Sequence, residues 1–579
     1  MLAVYNAGMH IDIVPNRNSR PAYLLRESYR DGKKVRKRTL ANLSALSDAQ
    51  LMAIRSVLQG HALVPTEAAF AVSSSRAHGH VQAVSVVMSR LGMAALLGAR
   101  PSPERDRVLA MIAARILAPH TKLATTRWWH TTTLAEELGV ADASAEDLYA
   151  AMDWLLARQD RIQKKLAKRH LHEGGLMLYD LSSSYFEGST CPLAQRGYSR
   201  DGKRGTLQVN YGLLTDASGC PVAISVYAGN TADGPTFLPA VQTVREDFGI
   251  ERLVMVGDRG MVSAQAIETM RQSDGIDWIT ALKSTSIRAL IEHEHLQMDL
   301  FDQRNLIELS SPDYPGERLI ACRNEALARK RAHTREDLLV ATERSLSKIQ
   351  QRVDAGRLKG QDAIGVSVGK IINRYQVAKH FELTLTDTAL TFARRPERIA
   401  REATLDGLYI VRTSVSAERL SAPECVRNYK ALANVERAFR SLKTIDLKVR
   451  PIHHRLADRV RAHIFLCMLA YYIEWHLREA WRTLLFADPD TDAKTTRDPV
   501  APAQRSPAAQ RKAASRTLGD GTPAHSFATL LADLASIVRN TCHAPNDIHS
   551  KAAAFQITTT TTANAQQQRA LDLAQAIHL

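Results

Sequence analysis

The sequence predicts a mixed α/β protein, with a mainly helical region before its sheet and further helices after it. Three observations predict this class. Apolar residues repeat with helical spacing over most of residues 61–173, short β-rich runs alternate with helices in 174–283, and a β-rich run followed by two helices fills 406–486. With 579 residues, about three or four folded units are expected.

The first 60 residues are expected to hold a β-hairpin and a helix. Two β-rich runs flank Asp31-Gly32 within residues 22–40, a strong hairpin signal, and helical periodicity follows in 48–58. The hairpin arms are strongly basic, carrying Arg26, Arg30, Lys33, Lys34, Arg36, Lys37 and Arg38. Such a hairpin suits DNA phosphates, but the same charges also suit an ordinary solvated face, and the sequence leaves both interpretations open.

Residues 61–173 are expected to form a helical, DNA-binding region. Helical periodicity covers residues 81–97, 104–117 and 145–168. The last helix is expected to begin behind Ser144, with Asp147 in the position of a capping box, and it ends in a basic cluster.

Residues 174–283 are expected to form the first part of the sheet, and residues 284–405 a separate insertion. Strand-like runs and helices alternate in the first part, whereas the insertion has short β-rich pieces around a long helix that begins at Thr334. The second part of the core, 406–486, contains a helix with Ser421, Pro423 and Glu424 in capping positions. Residues 487–526 lack periodicity and are expected to be a flexible linker, and 527–579 form a C-terminal tail.

The composition is that of a basic, folded protein. The 76 Lys and Arg exceed the 60 Asp and Glu by 16, and 45% apolar residues exclude a disordered chain. A positive field of this kind attracts polyanions such as nucleic acid, although a merely basic soluble protein gives the same numbers. The six cysteines stand singly, without the Cys and His spacing of a zinc site, so reduced thiols and a cytoplasmic location are expected.

No segment is expected to cross a membrane. The longest apolar run, residues 463–473, has about half of the ~20 residues that a span requires. The N-terminus also lacks a basic region followed by an apolar stretch.

Three acidic residues have an unusual context. Asp180 and Asp258 each end an apolar run of strand type, and Glu436 lies in a helix predicted over residues 429–443. A carboxylate at the end of a buried strand is partly desolvated, which is costly unless a cation or hydrogen-bond donors compensate. A helix cap or a salt bridge explains any one such aspartate, but two in one sheet favour a site for a hard cation.

The predicted helix places chemically useful groups on one face. Seven residues are close to two turns, so Tyr429, Glu436 and Lys443 share a face, while Val435, Phe439 and Leu442 form the adjacent apolar stripe. A phenol, a carboxylate and an ammonium in this order suit a phosphodiester. The alternative is that Glu436 pairs with Arg440 at the (i, i+4) spacing, which is worth only ~0.3 kcal/mol.

At these residues the chain resembles the DDE transposases of bacterial insertion sequences, in the long-chain branch of the insertion-sequence-four superfamily. The resemblance extends over nearly the whole chain. Its most specific block is Tyr-Lys-Ala-Leu-Ala-Asn-Val-Glu-Arg-Ala-Phe-Arg-Ser-Leu-Lys at residues 429–443. The other blocks are Val-Pro-Asn-Arg-Asn-Ser and Leu-Leu-Arg-Glu-Ser near the N-terminus, Tyr-Asp-Leu-Ser-Ser-Ser-Tyr-Phe-Glu at 179–187, Gly-Asn-Thr-Ala-Asp at 229–233 and Gly-Asp-Arg-Gly-Met at 257–261.

The resemblance implies an RNase H-like core with an insertion domain between the second aspartate and the glutamate. The spacing agrees, because 78 residues separate Asp180 from Asp258 and 178 separate Asp258 from Glu436. The implied cofactor is a pair of Mg²⁺ ions, with Mn²⁺ able to substitute. Asp180 is expected to bridge the two metals, with Asp258 and Glu436 as outer ligands.

The resemblance also implies residues that contact the DNA phosphate. Tyr429 and Lys443 match the family pattern, whereas Leu432 stands where the family has an arginine. That role is expected to be lost here, or to move to Arg437 or Arg440. Arg259, directly after the second aspartate, is a further candidate for a phosphate contact, with a structural salt bridge as the alternative.

The implied activity is cleavage at the terminal inverted repeats of the element, followed by strand transfer into target DNA. The implied partners are double-stranded DNA and a second copy of the chain in the DNA complex, and the implied location is the bacterial cytoplasm, on the nucleoid. A non-catalytic DNA-binding regulator derived from a transposase, and a structure-selective nuclease, are the alternatives. The resemblance begins at Met9, so we expect Met9 rather than Met1 to be the natural start.

Overall fold

The computed structural model describes residues 8–17, 19–60, 71–203, 205–302, 304–492, 496–543 and 556–578. The segment before residue 8, on which the choice between Met1 and Met9 as the start depends, lies outside these ranges. The chain divides into two compact units. The smaller unit comprises Met1–Ser75 and Arg539–Thr561, and the larger comprises Arg76–Val538 and Thr562–Leu579.

The smaller unit begins with a three-stranded antiparallel sheet and a helix. The elements are β1 (Met9–Val14), β2 (Ala22–Asp31), β3 (Lys34–Asn42) and α1 (Asp48–Leu58), followed by β4 (Ala71–Ala77). The predicted hairpin is confirmed as β2 and β3, and Gly32 adopts the left-handed conformation that the turn requires. Several basic side chains of this sheet pair with its own acids: Arg26 and Lys37 bind Asp12, and Arg38 binds Glu27.

The region before the large sheet is helical, as predicted. Its helices are α2 (Gly79–Arg90), α3 (Met93–Leu97), α4 (Pro103–Leu117), α5 (Lys122–Trp128), α6 (Leu134–Glu137), α7 (Ala145–Leu156) and α8 (Gln159–His170). The capping box of Ser144 and Asp147 is confirmed. Two helices predicted as continuous are each broken. Left-handed Gly92 separates α2 from α3, and a turn at Arg158 separates α7 from α8 although the apolar period continues across it.

The first part of the core alternates strands and helices as predicted. Its elements are β5 (Gly175–Tyr185), β6 (Gln208–Asp216), β7 (Pro221–Ala228), α9 (Gly234–Gln242), β8 (Leu253–Gly257), α10 (Ala264–Arg271) and β9 (Ile276–Ala281). Strands β5 to β7 form an antiparallel meander, whereas β8 and β9 run parallel to β5.

The following segment contributes both to the sheet and to a core of its own. Its elements are α11 (Ser284–Glu292), β10 (Leu306–Leu309), β11 (Arg318–Arg323), α12 (Glu325–Asp354), α13 (Gln361–Ile372), β12 (Phe381–Leu385), β13 (Leu390–Arg394), α14 (Pro396–Ala403) and β14 (Leu408–Thr413). Helix α12 begins nine residues before the predicted Thr334, because the Asn324 side chain caps it by accepting a hydrogen bond from Leu327 N at 2.8 Å. Helices α12 and α13 and the hairpin β12–β13 bury a separate apolar cluster.

The large sheet has eight strands in the order β10-β11-β14-β9-β8-β5-β6-β7. The parallel strands β5, β8 and β9 lie near its middle, and their side chains are almost all buried. Strand β14 pairs antiparallel with β9, so the chain returns to the edge of the parallel part after the long helices.

The C-terminal part of the chain is helical apart from two strands. Its elements are α15 (Ala422–Lys430), α16 (Leu432–Arg440), α17 (Ala457–Ala480), α18 (Pro507–Ser515), α19 (Phe527–Leu534), β15 (Val538–His543), β16 (Gln556–Thr560) and α20 (Ala565–Gln575). The capping box of Ser421 and Glu424 is confirmed. Strands β16, β15 and β4 form a further three-stranded sheet in that order. In residues 487–526, where the sequence predicts a flexible linker, the structure contains α18, and Lys512 donates to the carbonyl of Leu485 at 2.8 Å.

Helix α17 is the centre of the larger unit. It packs against α4, α7 and β7, and residues around its whole circumference are buried. A helix that is apolar on all sides is usually either a core helix or a membrane span. Within the described ranges, no helix is both long enough and apolar enough to cross a membrane. All six cysteines are free and buried.

One close contact at the middle of the sheet gives a test of the fold. Gly212 of β6 lies under the ring of Tyr179, which is 1% exposed, and a Cβ atom at this position would overlap the tyrosine hydroxyl and lie 2.7 Å from ring atom Cζ. Gly212→Ala should therefore displace the ring and destabilise the protein by about 1–3 kcal/mol. Gly369→Ala, on an open face of α13, should instead stabilise it by about 0.5–1 kcal/mol. Urea unfolding of the two variants measures both effects. Equal urea midpoints for Gly212→Ala and Gly369→Ala would contradict the close contact between Gly212 and Tyr179.

Candidate active site

Two of the predicted acidic residues lie side by side where the parallel pairing of β5 with β8 ends. Asp258 follows the last residue of β8, whereas Asp180 lies within β5, which continues along β6 to Tyr185, so the prediction that Asp180 ends its strand is wrong. Tyr179 of β5 pairs with Gly257 of β8, so the next residues, Asp180 and Asp258, leave the ladder at the same edge. Asp180 is partly buried, and its Oδ1 accepts a hydrogen bond from the Leu181 amide at 2.8 Å. Asp258 is exposed just beyond its strand. Parallel pairing thus brings together two carboxylates that are 78 residues apart in the sequence.

Helix α16 brings the third carboxylate to the same place. It packs against β5 and leaves Glu436 exposed, while the predicted stripe of Val435, Phe439 and, in the turn after the helix, Leu442 is buried. Burial raises the pKa of Asp180 to about 7, and the charges of Asp258 and Glu436 add to this rise. Asp180, Asp258 and Glu436 therefore form one electrostatic cluster.

The alternative partner of Glu436 is not observed. Among the residues that the structure describes, Glu436 and Arg440 form no ion pair within 4.0 Å, although both are exposed on α16. The exposed carboxylate is thus left available beside Asp180.

Tyr429 contacts the carboxylate cluster directly. Its hydroxyl donates a hydrogen bond to Oδ1 of Asp258 at 3.2 Å, and burial together with that carboxylate raises the pKa of the phenol. The residue thus fixes the orientation of Asp258. It reaches the cluster from α15, which Ala431 separates from α16, so the single helix predicted over residues 429–443 is wrong. A π-helical turn over Ser441–Ile445 then follows α16.

Lys443 occupies a different environment from Tyr429. It is 9% exposed, and its Nζ donates to Oδ1 of Asp201 at 3.1 Å. Arg450 also pairs with this carboxylate, whose other oxygen accepts a hydrogen bond from the Tyr185 amide at 3.0 Å. Burial lowers the pKa of Lys443, and Asp201 opposes this effect. Lys443 therefore links the end of the glutamate helix to the end of β5.

Arg200 is a cation at the site that the sequence analysis did not find. Its guanidinium pairs with Asp233, its charge opposes the rise in the pKa of Asp180, and its Nη1 is buried without a hydrogen-bond partner among the described residues. Asp233 is the last residue of the block Gly-Asn-Thr-Ala-Asp, which the sequence analysis had singled out, so one of the two partners could have been found from the sequence. The partner lies 33 residues away in a loop, however, and no local pattern indicates it.

Three further predicted residues lie on the surface around the cluster. Arg259 lines a cleft of about 330 Å³ together with Asp258, Tyr429 and Lys430. Arg437 and Arg440 are exposed on α16, and Arg437 donates to the side chain of Asn434 at 3.5 Å. In the part of the chain that the structure describes, these three arginines form no ion pair.

A buried polar network holds the segment that follows Glu436. The Ser441 hydroxyl donates to Glu474 of α17 at 2.7 Å, and Arg478 binds both Glu474 and Asp446 at 2.6 Å. Glu474 is fully buried, which raises the pKa of its carboxyl group, while Arg478 opposes that rise. The network attaches the end of α16, the helix that carries Glu436, to α17, the central helix of the larger unit. Sequence analysis missed it because Glu474 lies inside an otherwise apolar run.

Comparisons with known proteins agree with this arrangement. A model of the transposase DDE domain matches residues 180–473, which begin at Asp180 and include Asp258 and Glu436. A model of the N-terminal domain of the IS1634 family of transposases matches residues 11–67, which include the basic hairpin and α1. No match is found among curated proteins.

A solved structure is also similar over much of the chain. It is a cryo-EM structure of a piggyBac transposase synaptic complex with hairpin DNA, with a TM-score of 0.32 and 8% sequence identity over 79% of this chain and 76% of that chain. The DDE domain match alone covers just over half of the chain. The protein therefore belongs to the DDE transposases of bacterial insertion sequences.

Proposed function

We propose that this protein cleaves DNA at the terminal inverted repeats of its insertion sequence and transfers the freed ends to target DNA. The observation that carries the proposal is the convergence of Asp180, Asp258 and Glu436 at one edge of the sheet. Phosphodiester chemistry needs an activated oxygen nucleophile and neutralisation of the charge that develops on the phosphate. A cluster of three acidic groups beside unpaired arginines is suited to both tasks once a cation is bound.

We further propose that the core is RNase H-like and is split by an insertion domain. Two features support this. The strand order β7-β6-β5-β8-β9 combines an antiparallel meander with a parallel continuation, and the two aspartates lie where the parallel pairing of β5 with β8 ends. The separate apolar cluster of α12, α13 and the β12–β13 hairpin lies in sequence between Asp258 and Glu436.

DDE transposases generally use divalent metal ions, and the three carboxylates fit Mg²⁺ or Mn²⁺. Carboxylate oxygens are hard ligands that Mg²⁺ prefers, and it keeps several waters when bound by only a few of them. Burial, with a smaller contribution from the charges of Asp258 and Glu436, raises the pKa of Asp180, and a divalent cation at this position would favour the ionised carboxylate. Asp180 would be shared by two ions, with Asp258 and Glu436 each holding one of them. Such a pair of ions activates the attacking oxygen and stabilises the leaving oxygen.

The other residues would position ligands and DNA. Tyr429 would hold Asp258 in place through its hydroxyl group, and Lys443 would hold the loop of Asp201 against the end of β5. The exposed Arg259, Arg437 and Arg440 would contact phosphates, and the charge of the largely buried Arg200 would offset part of the negative charge near Asp180. None of these contacts reads sequence, because phosphate contacts position a protein on DNA without specifying bases.

The partner would be double-stranded DNA, both the ends of the element and the target, bound by a homodimer. The excess of 16 positive charges supports an electrostatic contribution to binding. A dimer is proposed because joining both ends of one element to a target requires two active sites in one complex.

Replacing any one carboxylate should abolish cleavage but leave end binding intact. Asp180→Ala, Asp258→Ala and Glu436→Ala each remove a proposed metal ligand, whereas the basic surfaces remain. The assay uses a mini-element with the native inverted repeats in Mg²⁺, and a gel shift measures binding. Nicking by the parent protein without joining would favour the nuclease, and binding without nicking would favour the regulator.

The matched control is Asp274→Ala. Asp274 is also exposed, but it precedes β9 and therefore lies at the opposite ends of the parallel strands from Asp258. This variant should cleave like the parent protein. Cleavage that survives in one of the three active-site variants would remove that residue from the proposed ligand set.

Tyr429→Phe should weaken the response to the metal rather than the binding of DNA. The substitution removes only the hydroxyl that orients Asp258, and loss of such an outer contact typically costs about 10–100-fold in metal affinity or activity. The expected result is a higher Mg²⁺ concentration for half-maximal cleavage, with cleavage recovering when Mg²⁺ is raised. An unchanged Mg²⁺ dependence would show that the hydrogen bond to Asp258 has no role in holding the ion.

The metal-free protein should be stabilised by Asp180→Asn, and more so as the pH rises. The pKa of Asp180 is raised to about 7 in the folded state, so ionisation of this group is unfavourable there. The folded state thus holds an extra proton between about pH 4 and pH 7, and the parent protein loses stability across that range. The variant lacks this loss. Thermal unfolding in EDTA should show a larger difference in unfolding temperature between the variant and the parent protein at about pH 8 than at about pH 4. An equal difference at the two pH values would contradict the raised pKa of Asp180.

A further inference from the structure

Three side chains with nitrogen and sulfur donors meet in the larger unit, apart from the carboxylate cluster. His170 ends α8, Cys220 precedes β7, and His476 lies in the last turns of α17. One ligand atom of each lies within 4.8 Å of the other two. The three residues come from distant parts of the sequence, so the spacing of cysteines and histidines along the chain gives no sign of the cluster.

The described protein groups do not use all the donors of the cluster. Nε2 of His476 is buried and has no hydrogen-bond partner among them. Nε2 of His170 is 2.9 Å from the Tyr472 hydroxyl, which fixes the orientation of that ring. The thiol of Cys220 is free and fully buried. Buried polar atoms are usually hydrogen-bonded in native structures, so this ring nitrogen is available to a ligand.

A carboxylate beside the cluster supplies the charge that a cation needs. Asp216, at the end of β6, interacts electrostatically with both His170 and Cys220. Its Oδ1 accepts hydrogen bonds from the amides of Ser218 and Cys220, each at 2.9 Å, so the carboxylate is fixed to the turn that carries the cysteine. A thiolate at Cys220 and the Asp216 carboxylate together would balance a divalent ion.

We propose that His170, Cys220 and His476 bind a zinc ion that cross-links α8, the β6–β7 turn and α17. Two imidazoles and one thiolate are the ligand types that zinc prefers, whereas Mg²⁺ prefers the oxygens of the carboxylate cluster. Zinc bonds of roughly 2.0–2.3 Å require the ligand atoms to close to roughly 3–4 Å, which small side-chain rotations provide. A water molecule would complete the tetrahedral shell, with the Asp216 carboxylate as an outer partner. This site is independent of the proposed function.

Cobalt substitution tests the site without relying on activity. Full-length protein is stripped of metal and titrated with Co²⁺, because a bound thiolate gives a sulfur-to-cobalt charge-transfer band that carboxylate ligands cannot give. The parent protein should show this band at one equivalent, and zinc should displace the cobalt. Cys220→Ser should abolish the band, and His476→Gln should abolish or strongly weaken it. The matched controls are Cys425→Ser, which removes another buried thiol, and Asp258→Asn, which alters the carboxylate cluster. Both should keep the band.

Two further measurements keep the proposal open to refutation if a variant folds poorly. Asp216→Asn should weaken Co²⁺ binding about 10–100-fold while leaving the band in place at saturation, because it removes an outer partner. A zinc chelator should lower the thermal unfolding temperature of the parent protein but not of His476→Gln. Absence of the band in the parent protein, or its persistence in Cys220→Ser, would overturn the proposal.

Discussion

The parallel pairing of β5 with β8 is the constraint on which the site depends. It places Asp180 and Asp258 side by side where the pairing of the two strands ends, and any shift in this register would separate them. The cost is electrostatic, because burial and two neighbouring carboxylates raise the pKa of Asp180 to about 7. The surrounding structure offsets part of this cost. The Leu181 amide donates a hydrogen bond to Asp180, the Tyr429 hydroxyl donates one to Asp258, and Arg200 adds a positive charge nearby.

The position of Glu436 depends on packing behind its helix. One face of α16 is fixed to β5 by apolar contacts, while the turn that follows is held to α17 by Ser441, Glu474 and Arg478. A second link, from Lys443 to Asp201, attaches the same turn to the end of β5. Buried polar networks are specific because leaving one member unpaired is costly. The glutamate is therefore held from two sides, although its own side chain is exposed.

Sequence alone predicted what local patterns determine. Strand runs, the Ser144 and Ser421 capping boxes and the apolar stripe of α16 follow from residue spacing, and the structure contains them. The break at Ala431 and the π-helical turn after Arg440 were not predictable, because neither contains glycine or proline and both are set by packing. Asp201, the partner of Lys443, and Arg200, whose charge acts on Asp180, lie in a long loop whose path only the tertiary structure defines.

The distribution of unpaired charge distinguishes the carboxylate site from other basic surfaces. In the first sheet, Arg26, Lys37 and Arg38 bind acidic partners, so much of that positive charge is already compensated. Around the three carboxylates the described arginines on the surface, Arg259, Arg437 and Arg440, have no such partners. An exposed cation gains little from a surface ion pair but contributes fully to attracting a polyanion. Unpaired arginines thus lie around the three carboxylates. In such an arrangement the arginines attract a DNA phosphate, and the carboxylates attract a divalent cation.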